Sequence, residues 1–182
     1  MQGTSGLALR FPRSLVMAYD IVITRRLPGE SWDRTLERIE QSADMMPPRL
    51  SAPMTRCWER AANRIAGADA EFGRGRVNRL ELTVESPTVR VIFEEHSAFV
   101  SIPHAHGAHD ATSAMTRVAE VVSVICEESG WSAYDQQLEC EITDSADLIG
   151  DGARHLESAA GTLDRDDDTT ANPKKRWWRF GT

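Results

Sequence analysis

Residues 80–103 read Leu80-Glu-Leu-Thr-Val-Glu-Ser-Pro-Thr-Val-Arg-Val-Ile-Phe-Glu-Glu-His-Ser-Ala-Phe-Val-Ser-Ile-Pro103. Leu80, Leu82 and Val84 recur at every second position, as do Val89, Val91 and Phe93, and then Ala98, Val100 and Ile102. A period of two marks strands with one buried face. Ser86-Pro87 and His96-Ser97 stand between the runs, and connections that short join antiparallel neighbours. The stretch therefore predicts three consecutive strands in a sheet that is at least partly antiparallel.

Upstream, Tyr19, Ile21 and Ile23 alternate as a first strand, and Pro28-Gly29 ends it. Ser31 is placed to cap a helix whose apolar face is Trp32, Leu36 and Ile39, with Pro47-Pro48 beyond its end. Pro53 suits the first turn of a second helix, striped by Met54, Trp58, Ala61 and Ile65. Downstream, Thr112 or Ser113 can cap a third helix bearing Met115, Val118, Val122 and Ile125, with Gly130 as its C-terminal cap. Tyr134, Leu138, Cys140 and Ile142 predict a last, interrupted strand. The order is β-α-α-β-β-β-α-β. One stripe per helix predicts helices on one face of the sheet, in a single α+β domain over residues 17–143.

Charge divides the 182 residues further, because the net −7 is an average over unlike pieces. Residues 1–16 carry +2, 17–143 carry −7, 144–173 carry −6 and 174–182 carry +4. The first piece, with Arg10 and Arg13 among its apolar residues, lacks the pattern of a secretory signal. It reads as a flexible extension, or as an over-long start with the chain proper beginning at Met17. Segment 144–173 offers only Leu148, Ile149, Leu156 and Leu163 as large apolar groups, and predicts an acidic, disordered linker, with a short helix from Leu148 to Leu163 as the lesser alternative. An acidic body argues against nucleic-acid binding by the domain as a whole, and no apolar run approaches a membrane span. Cys57, Cys126 and Cys140 show no C-x-x-C spacing and predict single small core residues in a reduced, cytoplasmic setting.

Met17-Ala-Tyr-Asp-Ile-Val-Ile23, the strand running to Ile102-Pro103, and Ala133-Tyr-Asp-Gln-Gln137 together resemble a group of small, mostly uncharacterised actinobacterial α/β proteins. Those begin with a Tyr-Asp strand and end with a Tyr-Asp-Pro-Gln strand, and some look like immunity proteins of toxin systems. The resemblance spans about residues 17–143 and implies a non-enzymatic binding role. It assigns no residue a role, and Gln136 stands here where that group has proline.

Three sets of residues bear chemistry. His96, His104, His106 and His109 lie within a short stretch, with Asp110 adjoining. His104-x-His106 on extended backbone places both rings on one side, so His104, His106, His109 and Asp110 are candidate ligands for a divalent metal such as zinc. A solvated polar loop or a partner surface is the plainer reading. Tyr19-Asp20 and Tyr134-Asp135 occupy the first and last strands. If those strands pair, the two carboxylates could sit together and one would have a raised pKa. Otherwise each Tyr packs inward while its Asp points outward or caps a turn. The third set is the tail Lys174-Lys-Arg-Trp-Trp-Arg-Phe180, where Trp177, Trp178, Arg179 and Phe180 are candidate partner-binding residues. Docking on a protein, weak peripheral contact with an anionic membrane, stacking on single-stranded nucleic acid and folding back on the acidic domain are all open to it.

No nucleophile elbow, phosphate loop, zinc-protease helix or dinucleotide fingerprint occurs. The expectation is a non-catalytic protein-interaction module, in its concrete form an immunity-like inhibitor whose acidic surface meets a basic partner such as a toxin. The alternative is a small metal-dependent enzyme or metal-binding protein using the His96–His109 cluster.

Overall fold

The first strand, β1 (Ala18–Thr24), is apolar on both faces because both are covered: Tyr19, Ile21 and Ile23 are buried on one and Val22 on the other. A computed structural model describes residues 18–43, 49–66, 79–85, 87–103 and 110–167. Residues 1–16, 104–109 and 174–182 lie outside them.

Helices α1 (Trp32–Ala43) and α2 (Ala52–Ala66) follow, then β2 (Leu80–Val84), β3 (Val89–Phe93), β4 (Ser97–Pro103), α3 (Ala111–Ser129), β5 (Ser132–Asp135), β6 (Cys140–Ile142) and α4 (Ser145–Asp167). The six strands form one sheet in the order β2-β3-β4-β1-β5-β6, every neighbouring pair antiparallel. The fold is α+β, as the strand and helix patterning predicts.

Local chemistry sets the helix ends. The Ser31 and Ser51 hydroxyls accept from the N–H groups of Arg34 and Met54, capping α1 and α2. Gly130 ends α3 with φ +69°, which only glycine adopts cheaply. The start of α3 differs from expectation: its N-cap is Asp110, whose carboxylate accepts from Ser113 N, and not Thr112 or Ser113.

Register separates the two faces of the sheet. Tyr19, Ile21 and Ile23 stand opposite Ile102, Val100 and Ala98, and this face carries the main core with Trp58, Phe93, Met115 and Ile125. Helices α2, α3 and α4 cover it. On the other face Val22 stands between Phe99 and Tyr134, and Trp32 of α1 stacks on Tyr134 with ring centroids 4.8 Å apart. So α1 departs from the expectation of helices on one face. Its single stripe gave no sign of which side of the sheet it covers.

The larger correction concerns 144–173. Ser145–Asp167 is a helix, capped at its start by Asp144, which accepts from Ala146 N. Leu148, Ala153 and Leu156 are buried in the main core. Few large apolar groups suffice because the helix approaches closely at a glycine. A Cβ at buried Gly152 would collide with the Met115 side chain and stand 3.0 Å from the Tyr19 hydroxyl. Beyond Asp167 the expected linker lies outside the described residues.

Candidate functional site

The expected last strand is a hairpin, β5 and β6, joined by a turn at 136–139 in which Glu139 has φ +52°. Asp135, at the end of β5, is fully buried and organises that turn. Its Oδ1 accepts from Gln137 N and Leu138 N, each at 2.9 Å. Its Oδ2 accepts a hydrogen bond from the Tyr19 hydroxyl. The His155 ring, on α4, meets the Tyr19 ring edge-on at 5.7 Å. Burial first, then the hydrogen bond and charge of Asp135, push the Tyr19 phenol far above its ordinary range. Tyr19 is thus a fixed donor and cannot serve as a base near neutrality.

The first and last sequence motifs do meet, but not as paired carboxylates. Strands β1 and β5 are neighbours with Ile21 opposite Asp135, so Asp135 shares the face of Tyr19 while Asp20 points to the other face. Packing of Tyr19 and turn-capping by Asp135 accord with the plainer expectation. Asp20 does have a raised pKa, about 7, but burial is the cause and not a second carboxylate. Its backbone N–H donates to the Gln137 side-chain oxygen at 2.9 Å, tying β1 to the turn.

Below the Asp135 turn lies a cleft of about 230 Å³. Chain segment 135–151 wraps it: Leu138, Ile142 and Leu148 supply apolar walls, and Asp144, Asp147 and Asp151 supply acidic side chains. Asp135 also lines it but spends its carboxylate on Tyr19 and the turn, and Glu141, opposite Tyr134 in register, turns its carboxylate to the α1 face. Residues 135–167 hold ten acids against two arginines, so the cleft opens on the most acidic part of the domain. Glu141 pairs with Arg26 and Asp151 with the exposed Arg154. Asp147 has neither ion pair nor hydrogen bond through its side chain among the described residues.

Cys140 lines the same cleft and is exposed, against the expectation of a core cysteine, which holds for Cys57. Partial burial and the charges of Asp135, Asp151 and Asp147 raise its thiol pKa. Burial first, and the neighbouring carboxylates after it, favour the protonated thiol, the opposite of what a nucleophilic or metal-binding thiolate requires. Cys126 is pushed up to about 11 by burial.

No family model, curated protein or solved structure matches the chain.

The remaining candidates are placed as follows. His104, His106 and His109 lie outside the described residues. Asp110 spends its carboxylate on the α3 cap. His96 stands immediately before β4. Among the described residues no group of three or more His, Cys, Asp or Glu could hold a metal ion, and no helix is long and apolar enough to cross a membrane. Trp177, Trp178, Arg179 and Phe180 also lie outside. Sequence reasoning missed the cleft because it needs the helix at 145–167. A signal existed: α3 buries Ala111, Ala114, Ala119 and Val121 besides its predicted stripe, and a helix apolar on two sides must be covered on both.

Proposed function

We propose that the domain is a non-catalytic interaction module that receives a cationic segment of a protein partner in the acidic cleft between β6 and α4. The observation that carries this reading is the cleft itself, in which a carboxylate rim surrounds walls from Leu138, Ile142 and Leu148. That combination suits an arginine or lysine side chain, whose alkyl stem packs on apolar surface while its head meets carboxylates. The protonated state of Cys140 and the fixed donor role of Tyr19 favour binding over catalysis at the same place. An immunity-like role against a basic toxin is the concrete form, since an acidic surface speeds encounter with a cationic partner.

Titration of the protein with a nona-arginine peptide at low salt tests the reading. Binding should weaken about tenfold in the Asp147→Asn, Asp151→Asn double variant, as loss of two partly exposed ion pairs implies. The comparison is made with Arg176, Trp177, Trp178, Arg179 and Phe180 changed to Ser in both proteins, so that the chain's own cationic segment cannot mask the loss; equal affinity there would remove the cleft from the account.

A further inference from the structure

We infer that the chain's own segment 174–182 docks in this cleft and competes with a partner for it. The inference rests on the proposed reading of the cleft and adds its regulation. Complementarity is the first argument. Lys174, Lys175, Arg176 and Arg179 bring four cations, and Trp177, Trp178 and Phe180 bring three aromatic rings, to a cleft lined by the acidic side chains of Asp144, Asp147 and Asp151 and by apolar walls from Leu138, Ile142 and Leu148. Within the rim, Asp147 is without an ion pair among the described residues, and the partner of Asp151, Arg154, is three-quarters exposed and easily displaced.

Chain length is the second argument. Asp147 and Asp151 stand near the start of the 23-residue α4, and Asp167 ends it. From Asp167 back to their level is about 25–30 Å along the helix axis. Residues 168–176, extended, span about 30 Å. A chain turning back along α4 therefore brings Trp177 through Phe180 to the cleft and passes exposed Glu157 on the way. A tether this short gives an effective concentration on the order of 1 mM. Even a site with a Kd of about 100 μM would then be about nine-tenths occupied.

Full-length protein supports the test without truncation. A tail variant carries Arg176→Ser, Trp177→Ser, Trp178→Ser, Arg179→Ser and Phe180→Ser, none of which lies in the described core. Amide NMR spectra of the parent and this variant should differ at Cys140, Ile142, Asp147 and Leu148. Those shifts should not change between about 50 and 500 μM protein, as an intramolecular contact requires. Nona-arginine should bind the variant about tenfold more tightly than the parent. Superimposable cleft amides would overturn the inference, and so would shifts that grow with concentration, which assign the contact to a second copy. If the cleft amides differ while nona-arginine binds neither protein, self-docking stands and the partner reading fails. Equal nona-arginine binding with superimposable spectra gives the reverse.

Discussion

The Tyr19 hydroxyl donates to the Asp135 carboxylate across two paired strands, joining residues 116 positions apart inside the core. The same carboxylate holds the turn that forms one wall of the cleft, so the core and the site share a residue.

Removing the hydroxyl leaves a buried carboxylate oxygen short of a donor. Tyr19→Phe should cost about 1–3 kcal/mol, read as a lowered urea midpoint at unchanged slope. In a double-mutant cycle with Asp135→Asn, the two losses should fall short of additive by at least about 0.5 kcal/mol. Additive losses would show that the bond does not couple the strands.

Two glycines of one helix should respond oppositely to alanine. At Gly150 an added Cβ meets nothing within 4 Å, so Gly150→Ala should stabilise by about 0.5–1 kcal/mol through helix propensity. At Gly152 the Cβ collides with fully buried Met115 and crowds the Tyr19 hydroxyl, and the collision outweighs the same propensity gain. Gly152→Ala should destabilise by about 1–2 kcal/mol. Thermal unfolding of the two variants checks the contrast of sign.

That contrast also shows where the sequence was legible. Period-two runs at 19–23, 80–84, 89–93 and 98–102 correspond to strands because one side of each is buried in the main core. Ser31 and Gly130 announced helix ends because capping is local chemistry. Helix α4 was hidden because its docking face is small, with Gly152 and Ala153 between Leu148 and Leu156, and a search for bulk passes over close approach. Register was hidden too. Nothing local says that Asp135 lies opposite Ile21 and so turns away from Asp20.

Asp20 makes stability depend on pH. Its pKa is about 7 in the fold, raised by burial, against an ordinary value near 3.8. Below about pH 4 the group is protonated folded and unfolded, and costs nothing. Between about pH 4 and 7 the unfolded chain releases the proton while the folded protein holds it, so this contribution falls as pH rises. The uncharged Ser101 beside it in register gives no relief. Asp20→Asn should flatten the decline by on the order of 1 kcal/mol after allowance for the partial exposure of the group. An unchanged slope of melting temperature against pH would show that Asp20 ionises freely in the fold.

Cys140 should react slowly for an exposed thiol. Partial burial, and after it the carboxylates beside it, hold down its thiolate fraction. With iodoacetamide at pH 7.5, Asp147→Asn with Asp151→Asn should speed its modification severalfold, as followed by mass spectrometry. The same rate in parent and variant would mean that those charges do not reach the thiol.

The central place of β1 in the sheet has a kinetic consequence. Synthesis delivers this strand first among the six, yet its partners are β4 and β5, and one of its hydroxyls waits for Asp135. Until the chain has grown past residue 135, Ile21, Val22 and Ile23 have no completed sheet around them. Contacts of such long sequence separation slow folding and leave an apolar edge open to other chains. The nascent protein therefore passes through a window in which its most buried strand is its most aggregation-prone one, and that window closes only when the hairpin bordering the acidic cleft has been made.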